Sequence, residues 1–255
     1  MTLRDKAIIV AALLVLTVLA WVMTVQQSAG MGWGMITMGM TMGQPLSISG
    51  ATLYIVLWGV MMVAMMFPSL APTAVLFATI TRQKRQQAKT FAPAWLFVAG
   101  YVALWTLTGG AAYVADIAID SLPNTFPALR VNGVSIGGVT LIVAGLYQLT
   151  PLKDLCLSKC RSPLGFLLNS WQDGCWGAFK MGLLHGAYCL GCCWSLMAVL
   201  FVVGTMNLGW MAVLSLIIFL EKILPHGVAI SKVAGLSIMG LGLVLMIAPA
   251  TMGVS

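Results

Sequence analysis

The ten residues His185–Trp194, HGAYCLGCCW, gather soft-metal ligands into one short stretch. His185, Cys189, Cys192 and Cys193 stand at i, i+4, i+7 and i+8, so on a helix all four project from one stripe. One imidazole and three thiols form the donor set that soft or borderline metals prefer, Cu(I) first and zinc second. A single helix cannot wrap an ion, because i to i+8 spans about 12 Å of rise. Either two or more of the four bind one ion with help from another helix, or the stripe is a ladder of successive sites. Cysteine is also a good small apolar residue for a membrane helix, and packing is the competing account. Three cysteines and one of only two histidines on a common stripe fit packing less readily.

Methionine is the second signal, 18 of 255 residues and unevenly spread. Met31, Met35, Met38, Met40 and Met42 lie in a Gly-rich segment, GMGWGMITMGMTMGQP, expected to face outside. Thioether sulfur is a neutral soft ligand that holds Cu(I) where an oxidising compartment would turn thiols into disulfides. The alternative is an adaptable loop that merely packs on the membrane surface. Met61, Met62, Met65 and Met66 precede Phe67-Pro68 on the second apolar stretch, with Met61/Met65 and Met62/Met66 each one helical turn apart. Counted inward from Ala51, they reach roughly the depth of Cys189–Cys193. Pro68 and Pro72 free backbone carbonyls at that level and kink the helix. A Met stripe is commonly packing, but two sulfur-rich patches at matching depth can meet.

A third cluster is TPLKDLCLSKCRSPLGF, Thr150–Phe166, a basic loop expected to be cytoplasmic. Thiols stay reduced there, and Lys153, Lys159 and Arg161 favour the thiolates of Cys156 and Cys160. A relay or release site and a structural loop both fit. Cys175 stands alone. Glu221-Lys222, followed by Pro225 and His226, forms a polar island in which the pair neutralises itself at the interface, or Glu221 or His226 binds metal or carries a proton. Asp116 and Asp120, one turn apart, read as a solvated interfacial pair or as a cation-gathering mouth.

The elements that must position these residues follow from composition. Sixty per cent of the chain is hydrophobic and 7% charged, against roughly a quarter charged in soluble domains. Nucleic-acid binding, cytosolic enzyme folds and disordered tails are excluded. Seven apolar stretches are legible: Ala7–Val25, Ala51–Ile80, Pro93–Ala115, Val134–Thr150, Gly177–Val203, Leu208–Leu220 and Val228–Pro249. They are too long and too uniformly apolar for barrel strands, and a membrane-spanning helix takes about 20 such residues. The expectation is an all-α, polytopic transmembrane helical bundle with six or seven spanning helices in one integral membrane domain, 1–255. The sixth stretch is short and either tilts or pairs with the seventh around Pro225. An outer Met-rich loop is expected at 26–50 and inner basic loops at 81–91 and 151–174. The first stretch is longer than a signal-peptide core and lacks an Ala-x-Ala site, so it reads as a retained helix.

Placing the N-terminus in the cytoplasm puts twelve of thirteen basic residues on that side, with Arg130 alone outside. Short-loop charge bias fixes orientation in this way. The run RQKRQQAK, Arg82–Lys89, then anchors topology against anionic membrane lipids. No internal repeat is visible, which argues weakly against an inverted-repeat transporter.

The segments MMFPSLAPT, QLTPLKDLCLSKCRSPLGF, HGAYCLGCCWSLM, VGTMNLGWM and LEKILP resemble a bacterial family of predicted metal-binding integral membrane proteins. Coverage runs from the second helix past Pro225, and the Cys-rich helix and the CLSKCRSP segment are its specific signals. The resemblance implies metal binding at Cys156, Cys160, His185, Cys189, Cys192, Cys193 and Glu221, and a copper-handling or chaperone-like role. The Met-rich segment at 31–42 is not part of it. The leading expectation is a carrier more than a catalyst, in the bacterial inner membrane. It would capture Cu(I) outside, hold it within the membrane, and exchange it at Cys156/Cys160 for transport or for delivery to a copper chaperone or membrane cuproenzyme. No Gly-x-x-x-x-Gly-Lys signature supports a nucleotide-driven pump. The rival reading is a quinone-coupled thiol–disulfide oxidoreductase using Cys189-x-x-Cys192. A third is a non-catalytic subunit of a membrane complex, its sulfur residues serving only as packing.

Overall fold

A computed structural model of the chain describes residues 3–28, 48–86, 92–125, 133–204 and 207–251. Among these residues every regular element is a helix: α1 (Leu3–Ser28), α2 (Ile48–Gln86), α3 (Ala94–Thr125), α4 (Gly133–Gln148), α5 (Pro151–Arg161), α6 (Pro163–Ser170), α7 (Gly174–Val203), α8 (Leu208–Ile223) and α9 (Gly227–Thr251). Five of them (α1, α2, α3, α7 and α9) are long and apolar enough to cross a membrane, and α4 with α5 makes a sixth if that bent pair is one span. The chain is thus an all-α, multi-pass membrane protein. The expected sixth stretch does fold as a helix, α8, but its 16 residues give about 24 Å of length. That falls short of the roughly 30 Å hydrocarbon core, so six spans, not seven, is the upper count among the described residues. The Met-rich segment 31–42 and Arg130 lie outside the described residues. The segment expected as an inner loop at 151–174 is largely helical, folding as α5 and α6.

Contacts divide the chain into two compact units, one of residues 1–111 with 158–190 and the other of 112–157 with 191–255. In the first, α1 packs on α2 through Leu13, Thr17, Ala20, Thr24 and Gln27, spaced alternately four and three residues apart. Thr17 and Thr24 satisfy their hydroxyls on the carbonyls of Leu13 and Ala20, at 2.7 and 2.8 Å, as hydroxyls in lipid must. The opposite face of α1 leaves Leu14, Val15, Val18, Leu19 and Val22 exposed, a surface that acyl chains solvate as well as protein does. Asp5 at the start of α1 pairs with Arg82 near the end of α2. The helix α2 continues through Pro68 and Pro72.

In the same unit, α3 and α7 approach backbone to backbone. A Cβ on Gly182 would lie 2.0 Å from the Phe97 carbonyl oxygen, and one on Gly100 would lie 2.2 Å from that of Phe179. Gly186, four residues after Gly182, meets Leu104 and the carbonyl of Tyr101. This is small-residue packing in lipid, where close van der Waals contact substitutes for the absent hydrophobic drive between helices.

The second unit repeats the device. On α4 and α9, Gly138 faces Gly242 and Gly145 faces Gly235, each glycine abutting the other's carbonyl at 2.5–2.9 Å from the would-be Cβ. The pairs are one heptad apart and the sequence runs in opposite directions, so the two helices are antiparallel in fixed register. The bend of 61° between α4 and α5 falls at Leu149-Thr150, because a residue before proline avoids the α region. Thr150 caps the turn by donating to the Tyr147 carbonyl at 2.7 Å.

Replacement of Gly182 by alanine is expected to destabilise the protein by about 1–3 kcal/mol, as over-packing does. Gly110→Ala, with nothing within 4 Å of the added methyl, should be neutral or stabilising. Thermal unfolding of both variants in detergent checks the pair. Equal stabilities would exclude the close α3–α7 approach.

Candidate metal centre

Helix α7 carries the thiol stripe. The sulfur atoms of Cys189, Cys192 and Cys193 all lie within 4.8 Å of one another, and all three side chains are buried. The i, i+3 and i, i+4 spacing produces this by itself: positions 192 and 193 are the two neighbours of 189 on the next turn. No disulfide joins any of the six cysteines. Buried sulfurs this close form a trigonal donor set open to a soft monovalent ion, with no charged oxygen among them.

His185 extends the stripe by one turn toward the N-terminal end of α7 but does not join the three-sulfur group. Its imidazole is buried among aromatic rings, with Phe166, Phe97 and Tyr101 at 4.9, 5.8 and 5.9 Å between centroids. The close crossing at Gly182 and Gly186 is what brings Phe97 and Tyr101 of α3 onto this face. The same crossing sets the Tyr101 hydroxyl 3.0 Å from Cys189 Sγ, both groups buried. Tyr101 was not legible as a site residue, since a Tyr in an apolar helix carries no spacing signal. Outer partners of this kind orient and tune metal ligands.

The four methionines Met61, Met62, Met65 and Met66 are all buried in the unit that holds Cys189. They are therefore interior side chains, not lipid-facing ones. Cys156 is half-buried on α5, and its Sγ lies 2.7 Å from the position a Cβ on Gly191 would take. Gly191 immediately precedes Cys192 on α7, and a side chain there would displace the Cys156 thiol. The Tyr147 hydroxyl donates to the Gly191 carbonyl at 2.5 Å. A glycine inside a Cys-rich run was the available sequence clue to this contact. Cys160, one turn on, is buried, and Cys175 is exposed.

Glu221 is buried and pairs with Lys153 of α5, whose ammonium lies 2.9 Å from each carboxylate oxygen. The Lys153 ammonium also donates to Gln148, whose Oε1 accepts from Ser231 at 3.2 Å. His226 is exposed in the α8–α9 turn, Asp116 is half-buried, and the Asp120 side chain lies outside the described residues.

Residues 55–245 match the family PpoB2, a copper chaperone family. The chain belongs to the PpoB2 copper chaperone family. The match covers α3 to α8 entire and most of α2, which together carry the Cys, Met and Glu residues of the site. The resemblance drawn from the motifs thus holds at the level of a metal-handling membrane family, and the family itself is PpoB2. No curated protein and no solved structure matches the chain. For a PpoB2 member, the thiol group on α7 is a cluster that could hold the family's metal.

Tyr101→Phe removes the hydroxyl beside Cys189 and should weaken Cu(I) binding about 10–100-fold at unchanged stoichiometry. Competition with a chromophoric Cu(I) chelator reads the affinity. An unaltered affinity would show that the hydroxyl has no part in holding the ion.

Proposed function

We propose that the chain binds Cu(I) within the bacterial inner membrane and delivers it to a membrane cuproenzyme or to a copper chaperone. The observation that carries this reading is the group of three buried thiols on α7, in a chain of the PpoB2 copper chaperone family. Copper is cargo here. It enters from the outer Met segment at 31–42, rests at Cys189, Cys192 and Cys193, and leaves by ligand exchange through Cys156, against Gly191, and Cys160 toward the cytoplasmic side. The buried thioethers of Met61, Met62, Met65 and Met66 and the imidazole of His185 supply further soft donors along the way. Three sulfurs without a carboxylate favour Cu(I) over zinc, which takes four ligands and accepts oxygen and nitrogen readily. Ligand exchange between sulfurs needs no nucleotide, because each step replaces one Cu–S bond by another of similar strength.

Orientation follows from charge. With the N-terminus in the cytoplasm, Lys159 and Arg161 at the end of α5 lie on the inner side beside Cys160, as the positive-inside rule favours. Thiols facing that compartment remain reduced and competent to exchange.

Purified protein is expected to carry roughly one copper per chain, and Cys189→Ser combined with Cys192→Ser should remove it. Elemental analysis of wild type beside the double variant decides the matter. Full copper retention in the double variant, or stoichiometric zinc in the wild type, would overturn the assignment.

A further inference from the structure

The buried ion pair between Lys153 and Glu221 lies outside the three-sulfur group on α7. Its setting nonetheless connects it to the site. Lys153 is one turn before Cys156 on α5, and both Lys153 and Glu221 are 1% exposed or less. The ammonium bridges both Glu221 oxygens on α8 and reaches Gln148 at the end of α4, which Ser231 of α9 holds in turn. Four elements therefore converge on one lysine. A charge in this position is expensive unless paired, so α5 cannot swing away from α8 without stranding both ions. The 61° break before Pro151 gives α5 a hinge that would otherwise let it move. On the next turn Cys156 fits against Gly191, the residue that precedes Cys192 on α7.

We propose that Lys153 and Glu221 are positioning residues, pinning α5 so that Cys156 stands beside Cys192 as the exchange ligand through which copper leaves the α7 thiols. The copper half of this statement rests on the proposed function, while the positional half does not. Glu221 then acts through α5, and the motif resemblance that counts it among the metal ligands is explained by its effect on Cys156.

The experiment has two readouts. In full-length protein keeping only Cys156 and Cys192, with the other four cysteines changed to Ser, dibromobimane should join the two thiols. Glu221→Gln and Lys153→Met should each abolish most of that product, and the exchanged pair Lys153→Glu with Glu221→Lys should restore it. In protein with all its cysteines, loaded with Cu(I), transfer to bicinchoninate should slow about tenfold or more in the same single variants, at unchanged copper content. Gly191→Ala displaces the Cys156 thiol without stranding a charge, and should slow transfer equally even if a charge variant fails to fold. Loss of copper in Glu221→Gln but not in Lys153→Met would make Glu221 a ligand and overturn the proposal. So would undiminished cross-linking in both single variants, or normal transfer in Gly191→Ala. If wild type holds no copper but cross-linking behaves as expected, the proposed function fails while the pinning of α5 stands.

Discussion

A bilayer offers no water to a polar group, and the arrangement of this chain follows from that constraint. Each buried hydroxyl or charge must find its partner inside the protein or not be there. Thr17 and Thr24 turn back onto their own helix. Lys153 is surrounded by acceptors from α8 and α4. Sulfur escapes the constraint almost entirely, since a thiol or thioether is only weakly polar and can be buried without a partner at little cost. A metal carrier that works at membrane depth is therefore driven to cysteine and methionine by solvation as much as by ligand preference. Both requirements select the same residues on α2 and α7.

Glycine is the second consequence. Helices in lipid gain little by burying leucine against leucine, so they associate where backbones can touch. Gly100 with Gly182, and the Gly138/Gly242 and Gly145/Gly235 pairs, are the points of closest approach. The first of these does more than hold two helices together, because it sets Tyr101 against Cys189. Gly191 extends the theme from helix packing to the site itself, admitting a thiol where any side chain would stand. Structure and chemistry meet at residues with no side chain at all.

How much of this was legible in the sequence depends on the range of the interaction. Periodicity and apolar length gave the helical class and most span positions, since those are properties of single segments. The three-thiol group was legible for the same reason, being a matter of i, i+3 and i, i+4 spacing on one helix. The loop expected between 151 and 174 was misjudged because its basic and polar residues mask an amphipathic helix, α5, begun by Pro151 and capped by Thr150. Glu221 reads from the sequence as half of a self-neutralising pair with Lys222 or as a metal or proton site, and none of these readings names Lys153. Its partner lies 68 residues away, a distance that only the fold can close. Tyr101 and Gly191 belong to the same class of tertiary coincidences.

Charge balance shows why hydroxyl donors should surround such a thiol group. Cu(I) bound by two thiolates carries a net charge of −1, and by three thiolates −2. In a low-dielectric interior each uncompensated charge is strongly disfavoured. Hydrogen bonds to anionic sulfur spread that charge without introducing a counter-ion, and are stronger than neutral ones. The Tyr101 hydroxyl, 3.0 Å from Cys189 Sγ, is placed to act in this way. A lysine in its place would neutralise the complex outright, but it would also hold the thiolates in an ion pair when copper had gone and oppose the next loading. A neutral donor supports the charged complex and leaves the empty site close to neutral. That difference keeps the binding of an ion at such a thiol group reversible.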